Sequence, residues 1–260
     1  ELYNSEDGLS HPFNTPTPMP LQTDLISYWK LDESSGTLAA DELGLRDGTA
    51  SGATITTGKI ENGREFDGTD DVVSLGTGLN LDDNFTLAGW IKRDGTGEAG
   101  DFGGIDSIVG KWTDGGSASS WLLGISEADD LPYVCVYTSV MICLNGTTIL
   151  TDNQWHFISG TYDGTQLKIY VDGQNEGFLS ASGTPVQNSQ VVYIGRSDTD
   201  VYGQFFGGLI DEVGIWSRAL SASEVTELYN SGAGLSYPFE TPTPTPTPGP
   251  TAQPTLVARD

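Results

Sequence analysis

The chain has 260 residues, 37% of them hydrophobic and a further 34 glycine, which supplies enough apolar material for a sizeable core and excludes wholesale disorder. Eleven Lys and Arg against 36 Asp and Glu leave a net charge of −25. Such a surface repels phosphate backbones and anionic lipid, so nucleic acid is not an expected partner, and no apolar run approaches the ~20 residues of a membrane span.

The first element in chain order duplicates the last. Residues 1–20 (ELYNSEDGLSHPFNTPTPMP) match residues 227–246 (ELYNSGAGLSYPFETPTPTP) at fifteen of twenty positions, with a constant offset of 226. Self-similarity at a fixed period marks an array, here with one whole domain per period. Residues 1–13 therefore read as the tail of a preceding repeat, and 14–20 as its Thr/Pro linker. The domain proper is 21–239, and 240–260 is a second Thr/Pro-rich linker to a following module. The opening Glu1-Leu2-Tyr3-Asn4 carries no signal-peptide pattern and reads as a processing point or a cut inside a longer polypeptide. Alternating Thr-Pro forms neither helix nor central strand, because Pro fixes φ and lacks an N–H. It favours polyproline II, a semi-rigid spacer of roughly 3.1 Å per residue. Thr15, Thr17, Thr241, Thr243, Thr245 and Thr247 are expected O-glycosylation acceptors on composition alone.

Between the linkers the pattern is β throughout. Short apolar stretches recur at 26–31, 72–75, 85–92, 107–111, 121–125, 155–162, 167–171, 191–194 and 208–216, punctuated by Gly, Asp and Asn. Leu167, Ile169 and Val171 alternate with Lys168 and Tyr170, the period of a half-buried strand. Asp172-Gly173 follows as a hairpin turn with positive φ at both residues. Residues 133–137 and 140–144 read as a strand and its return, which brings Cys135 and Cys143 face to face in a tight hairpin. They form a disulfide in an oxidising compartment, or otherwise a pair of buried thiols. One helix is marked, by the capping-box spacing of Ser221 and Glu224 ahead of Val225 and Leu228. Many short strands with one terminal helix predict an all-β, two-sheet antiparallel sandwich.

Four segments in order, 25–49 (LISYWKLDESSGTLAADELGLRDGT), 65–75 (EFDGTDDVVSL), 84–95 (NFTLAGWIKRDG) and 154–174 (QWHFISGTYDGTQLKIYVDGQ), followed by the closing stretch 193–232, resemble the concanavalin A-like jelly roll of laminin-G-like domains. The resemblance implies a jelly-roll sandwich whose first strand pairs beside its last, with the 40–48 loop near 209–216. It also implies an extracellular binding or adhesion module that recognises glycans or proteins, and that in many members carries calcium.

Catalytic relatives of this fold hydrolyse glycans with carboxylates at alternate strand positions. The nearest material here is Asp211-Glu212, whose side chains are adjacent and are expected to point oppositely. His11 and His156 are the only histidines, and no G-x-S-x-G or H-x-x-x-H string occurs. His156 lies in a strand and is expected to be structural, so no catalytic residue is expected. Ca²⁺ takes six to eight hard oxygens. The loop 40–48 offers Asp41 and Asp47, and the resemblance places it beside Asp211; these three are the expected calcium ligands. The alternative is that Asp41 is an Asx-turn residue and Asp211 caps backbone amides. Asp198 and Asp200 begin like an EF-hand, but its twelfth position is Leu209; they remain a second candidate ligand-binding loop, matching the region where pentraxins bind calcium. Trp112, in a glycine-rich stretch, is the expected exposed ring for stacking on a sugar, and the other tryptophans are expected in the core. Asn84 and Asn145 head N-glycosylation sequons; Asn84 abuts a strand, and Asn145, in a Gly-containing turn, is the better acceptor.

The expected function is a non-catalytic bead of an extracellular tandem-domain surface fibre or adhesin, stabilised by calcium, with neighbouring copies as partners. The alternative is a carbohydrate-binding module appended to a secreted glycan-degrading enzyme. In either case Leu228, Tyr229 and Leu235 are expected to bury against the domain's own sandwich, with Pro238-Phe239 closing its edge.

Overall fold

Among the described residues the short apolar stretches and the turns between them become sixteen paired strands. The computed structural model describes residues 20–93, 105–113, 119–197 and 205–239. In chain order the strands are β1 (Leu25–Trp29), β2 (Leu38–Ala39), β3 (Gly48–Ser51), β4 (Thr54–Thr57), β5 (Asn62–Asp67), β6 (Val72–Ser74), β7 (Phe85–Arg93) and β8 (Ile105–Lys111). There follow β9 (Trp121–Ser126), β10 (Pro132–Tyr137), β11 (Met141–Asn145), β12 (Trp155–Tyr162), β13 (Gln166–Val171), β14 (Gln174–Ser180), β15 (Tyr193–Ile194), β16 (Gly207–Trp216) and the helix α1 (Ala222–Tyr229). They form two antiparallel sheets. One runs β14-β13-β12-β7-β16-β5-β4, with β1 also paired to β16; the other runs β11-β10-β9-β8-β15-β6-β3-β2. The expected jelly-roll sandwich with one short C-terminal helix is what folds, and β1 does pair beside β16, Trp29 opposite Val213.

The main core lies between the sheets and is built by alternation. Phe85, Leu87 and Ile91 of β7 face Val109, Leu123 and Val134 of the second sheet. The other face of β7, with Ala88 and Trp90, is buried as well, which is why the strand reads as a continuous apolar run. Its cover is α1 and the segment after it. Ser221 caps the helix and Glu224 returns the bond, completing the capping box. Val225 and Leu228 then face the sheet, Tyr229 stacks on Trp90 with ring centroids 5.8 Å apart, and Leu235 is buried beside them. Phe239 closes the edge, 5.1 Å from the Tyr28 ring and 6.2 Å from Trp216. Residues 227–239 thus form a strap that this sandwich needs to cover its outer face.

Local turn chemistry holds too. Asp172 and Gly173 have φ of 49° and 76°, and Cys135 lies opposite Cys143 in the β10–β11 ladder, bonded as a disulfide. Strands β2, β4 and β14 carry no clear alternation. β14 is exposed along most of its length, so no burial pattern marks it in the sequence.

Candidate functional site

The acids expected to bind calcium are turned onto backbone amides. Asp41 Oδ1 accepts from the amides of Tyr28 (3.0 Å) and Leu43 (3.2 Å), and its Oδ2 accepts from Leu45 (3.2 Å) and Arg46 (3.0 Å). Asp47 Oδ1 accepts from the Asp41 amide at 3.0 Å. Asp211 Oδ2 accepts from Lys59 (2.8 Å) and Ile60 (2.9 Å). Trp29 bridges to Asp41 and pairs with Val213, so β1 runs between the 40–48 loop and β16, a spacing of two strands or about 9–10 Å. Asp41, Asp47 and Asp211 therefore do not assemble as one ligand set. The acids brought together among the described residues are Asp67, Asp70 and Asp71, in the turn between β5 and β6, with ligand oxygens within 4.8 Å of one another.

That turn is self-capped and still carries free oxygens. Asp67 Oδ1 accepts from Thr69 (2.8 Å) and Asp70 (3.3 Å), and Asp71 Oδ2 accepts from the Asp67 amide (2.9 Å). Burial pushes the Asp71 carboxyl up, and the Asp67, Asp70 and Glu65 charges add to the shift. Unneutralised hard oxygens at this spacing fit a calcium ion's donor preference.

Asp211 and Glu212 do not sit as a regular strand would place them. The β16 ladder shifts register between Asp211 and Gly214, and Glu212 adopts a φ of 53°. Both side chains end up buried, at 0% and 2% exposure. Glu212 Oε2 accepts from the Tyr28 hydroxyl at 2.6 Å, while Asp211 Oδ1 is buried without a hydrogen-bond partner among the described residues. Burial pushes Asp211 up to about 8, reinforced by the Glu212 charge. Burial likewise raises Glu212 to about 7, against the lowering hydrogen bonds from Tyr28 and Ser236. A carboxylate pair sealed beneath the strap has no open path to a glycosidic oxygen, and its role visible here is to hold Tyr28 and the 59–60 turn.

The outer face of the second sheet carries a separate aromatic cluster. Trp112 and Leu122 pack with the Cys135–Cys143 disulfide, and Ile105, Tyr133 and Tyr137 lie half-buried against them. Trp112 itself is only 7% exposed. The expected exposed ring is therefore wrong: Gly-rich flanks signal a loop, but the indole lies one residue past β8 and stays in register with the sheet's outer face. The more accessible aromatics there are Tyr133 and Tyr137, two alternate positions of β10 that flank Cys135. Strand periodicity places them on one face; nothing local says that this face is the accessible one. Trp29, Trp90, Trp121 and Trp216 are buried as expected, and Trp155 is partly so.

His156 is structural in its contacts. Its Nδ1 lies 2.8 Å from Asp172 Oδ2 and its Nε2 3.2 Å from Asp152 Oδ1; the hydrogen bond to Asp172 raises its pKa. Asn84 is exposed, but Thr86 of its sequon is buried, donating to Arg218 O and accepting from the Leu220 amide, each at 2.8 Å. Asn145 is half-buried at the end of β11 with its amide 3.4 Å from Asp129 Oδ2. Asp198, Asp200, His11 and the six linker threonines lie outside the described residues. No helix of the described residues is long and apolar enough to cross a membrane.

Residues 67–226 match the family model of the concanavalin A-like lectin/glucanases superfamily. A 75-residue stretch is 33% identical to mouse protein crumbs homolog 1, covering 27% of this chain and 5% of that protein. The fold is similar to domain 4 of AbnA, a GH43 extracellular arabinanase from Geobacillus stearothermophilus solved with arabinotriose. That likeness has a TM-score of 0.61 and 18% identity, over 78% of this chain and 97% of that one. It is also similar to the binding domain of Paraclostridial Mosquitocidal Protein 1, with a TM-score of 0.64 and 16% identity over 81% and 52% of the two chains. At these identities the two structural likenesses are of fold alone.

Proposed function

Since the chain belongs to the concanavalin A-like lectin/glucanases superfamily, we propose that it is a non-catalytic binding module outside the cell, one bead of a tandem array joined by Thr/Pro stalks. The observation that carries this reading is the strap. Residues 227–239 cover the outer face of this sandwich through Leu228, Leu235 and Phe239, and residues 1–13 repeat that segment. With its own strap already covering that outer face, the duplicate is left to serve a preceding copy. The disulfide supports an oxidising compartment. Calcium fits the Asp67, Asp70 and Asp71 turn, where it would neutralise three clustered carboxylates and rigidify the β5–β6 connection. Mass-spectrometric peptide mapping of the native polypeptide tests the array. Several distinct peptides running from an ELYNS-type strap into a Thr/Pro stretch are expected. A single junction leading into a hydrolase sequence would refute it.

The second reading is a carbohydrate-binding module of a secreted glycan-degrading enzyme. The aromatic face of Tyr133 and Tyr137 favours it, since half-buried rings on one sheet face offer stacking surface to a sugar, and the fold is shared with a domain of an extracellular arabinanase. Calorimetry with arabino-oligosaccharides, comparing the parent chain with Tyr137→Ala, measures it; heats lost in the variant would favour this reading.

A further inference from the structure

The charge of this protein is unevenly placed. In a chain of net −25, residues 131–151 and 177–195 contain no charged side chain. These two stretches are far apart in sequence, yet they supply the terminal strand of each sheet, β11 and β14, at one open side of the sandwich, where the two strands lie against each other. Glu176, the acid within β14, is turned onto the facing segment, accepting from the amides of Thr147 (2.6 Å) and Thr148 (3.1 Å).

The same side carries most of the exposed apolar bulk. Of seven large hydrophobic side chains exposed among the described residues, five lie here: Val140, Met141, Ile149, Phe178 and Leu179. Phe178 is 63% exposed and Met141 61%. Beside them is a hollow of about 290 Å³ lined by Ile142, Thr165, Ser180, Ala181 and Ser182. Edge strands in soluble proteins are usually blunted by charge, Pro, a bulge or short length. On the opposite side the terminal strands β2 and β4 have only two and four residues. β14 has seven; an acid and a bulge at Glu176 interrupt its first half, and its second half, Gly177 to Ser180, carries neither charge nor Pro.

We propose that the β11/β14 side is an interface between two copies of this chain, formed by isologous apposition of the uncharged edges with Phe178 of each copy entering the hollow of the other. Charge selects the occupant. An anionic membrane surface and an acidic partner are repelled by the whole molecule, and a basic partner would seek the more acidic faces rather than a side whose one strand acid, Glu176, is already turned onto the amides of Thr147 and Thr148. The neutral, apolar surface described here that matches this edge is the same edge of a second copy. Protrusion and hollow on one patch are what two-fold self-complementarity requires, and pairing the free edges covers unsatisfied ladder groups. The interface does not depend on the tandem array, because it forms between separate chains.

The test is sedimentation of the 260-residue chain from about 1 µM to about 500 µM, in low salt and in about 0.5 M NaCl. A monomer–dimer equilibrium is expected, with Kd on the order of 10–100 µM, the weak end of specific association. Salt should tighten it, since screening removes the repulsion between two strongly acidic bodies. Phe178→Lys and, separately, Phe178→Ser should each weaken it at least about tenfold with melting temperatures unchanged, because the side chain is exposed in the monomer. Leu38→Lys on the opposite side should leave it intact. A chain that stays monomeric at the highest concentration in high salt overturns the proposal. So does dimerisation insensitive to Phe178, dimerisation lost in Leu38→Lys, or monomeric capture by neutral phosphatidylcholine vesicles.

Discussion

Phe239 and Phe13 occupy equivalent positions in the duplicated segment, and substituting each by alanine separates their roles. Phe239 is 6% exposed, makes an edge-on contact with Tyr28 at 5.1 Å and stacks on Trp216 at 6.2 Å. Truncating a buried Phe costs about 3–5 kcal/mol when its surroundings cannot collapse, and the two aromatic pairs contribute about 0.5–1.5 kcal/mol each within that figure. A strap at the end of a domain relaxes more readily than a central strand, so Phe239→Ala is expected near the lower bound, about 3 kcal/mol. For a domain of this size that lowers Tm by about 6–12 °C. Phe13→Ala should leave Tm within about 1 °C, well inside the ±0.5 kcal/mol band of substitutions that touch no packed feature. Differential scanning calorimetry, supported by urea titrations with unchanged m, reads both. A loss below about 1 kcal/mol in Phe239→Ala would show that the strap is not part of the fold. A comparable loss in Phe13→Ala would mean that residues 1–13 pack into this sandwich, and the preceding-copy reading fails.

Buried Asp211 and Glu212, held at about 8 and about 7, bind protons in the folded state that the unfolded chain has released. Their contribution is present at about pH 4 and is lost as pH rises through 7 to 8, so Tm should fall over that range and Glu212→Gln should flatten the fall; an unchanged slope refutes it. The raised pKa of His156 adds stability below its unfolded value near 6.5 that disappears as pH rises through the folded one, and His156→Asn should remove that component from the same melts. Opening the disulfide frees a loop closed by residues eight apart and should cost about 2–2.5 kcal/mol, read as a lower urea midpoint for Cys135→Ala/Cys143→Ala; equal midpoints would refute it. Calcium in at least hundredfold excess over Kd should stabilise by about 2.7 kcal/mol, and Asp70→Asn should abolish the Tm difference between CaCl₂ and EDTA. Coincident melts of the parent chain in the two would exclude a stabilising site.

What was legible in the sequence is what a few neighbouring residues decide. The alternation of 167–171, the positive-φ turn at Asp172-Gly173, the capping box of Ser221 and Glu224, and the facing of Cys135 and Cys143 across a tight hairpin all follow from contacts within ten residues. The duplicated strap was equally plain, because repetition needs no geometry to be seen. The fate of the acids was not. Asp211 is neutral-leaning because it is buried in a dry site beside the Glu212 charge, and this outweighs the amides of Lys59 and Ile60, about 150 residues away in sequence, whose hydrogen bonds favour its charged form. Glu212 is buried because a bulge turns it toward Tyr28 under the strap. Asp41 is surrounded by its own loop's amides, while β1 separates it from β16. Carboxylate chemistry depends on solvation and long-range partners, and neither is encoded by spacing. The same holds for the uncharged side: its two stretches are visible in the sequence, but only the sandwich brings β11 beside β14 and makes one surface of them.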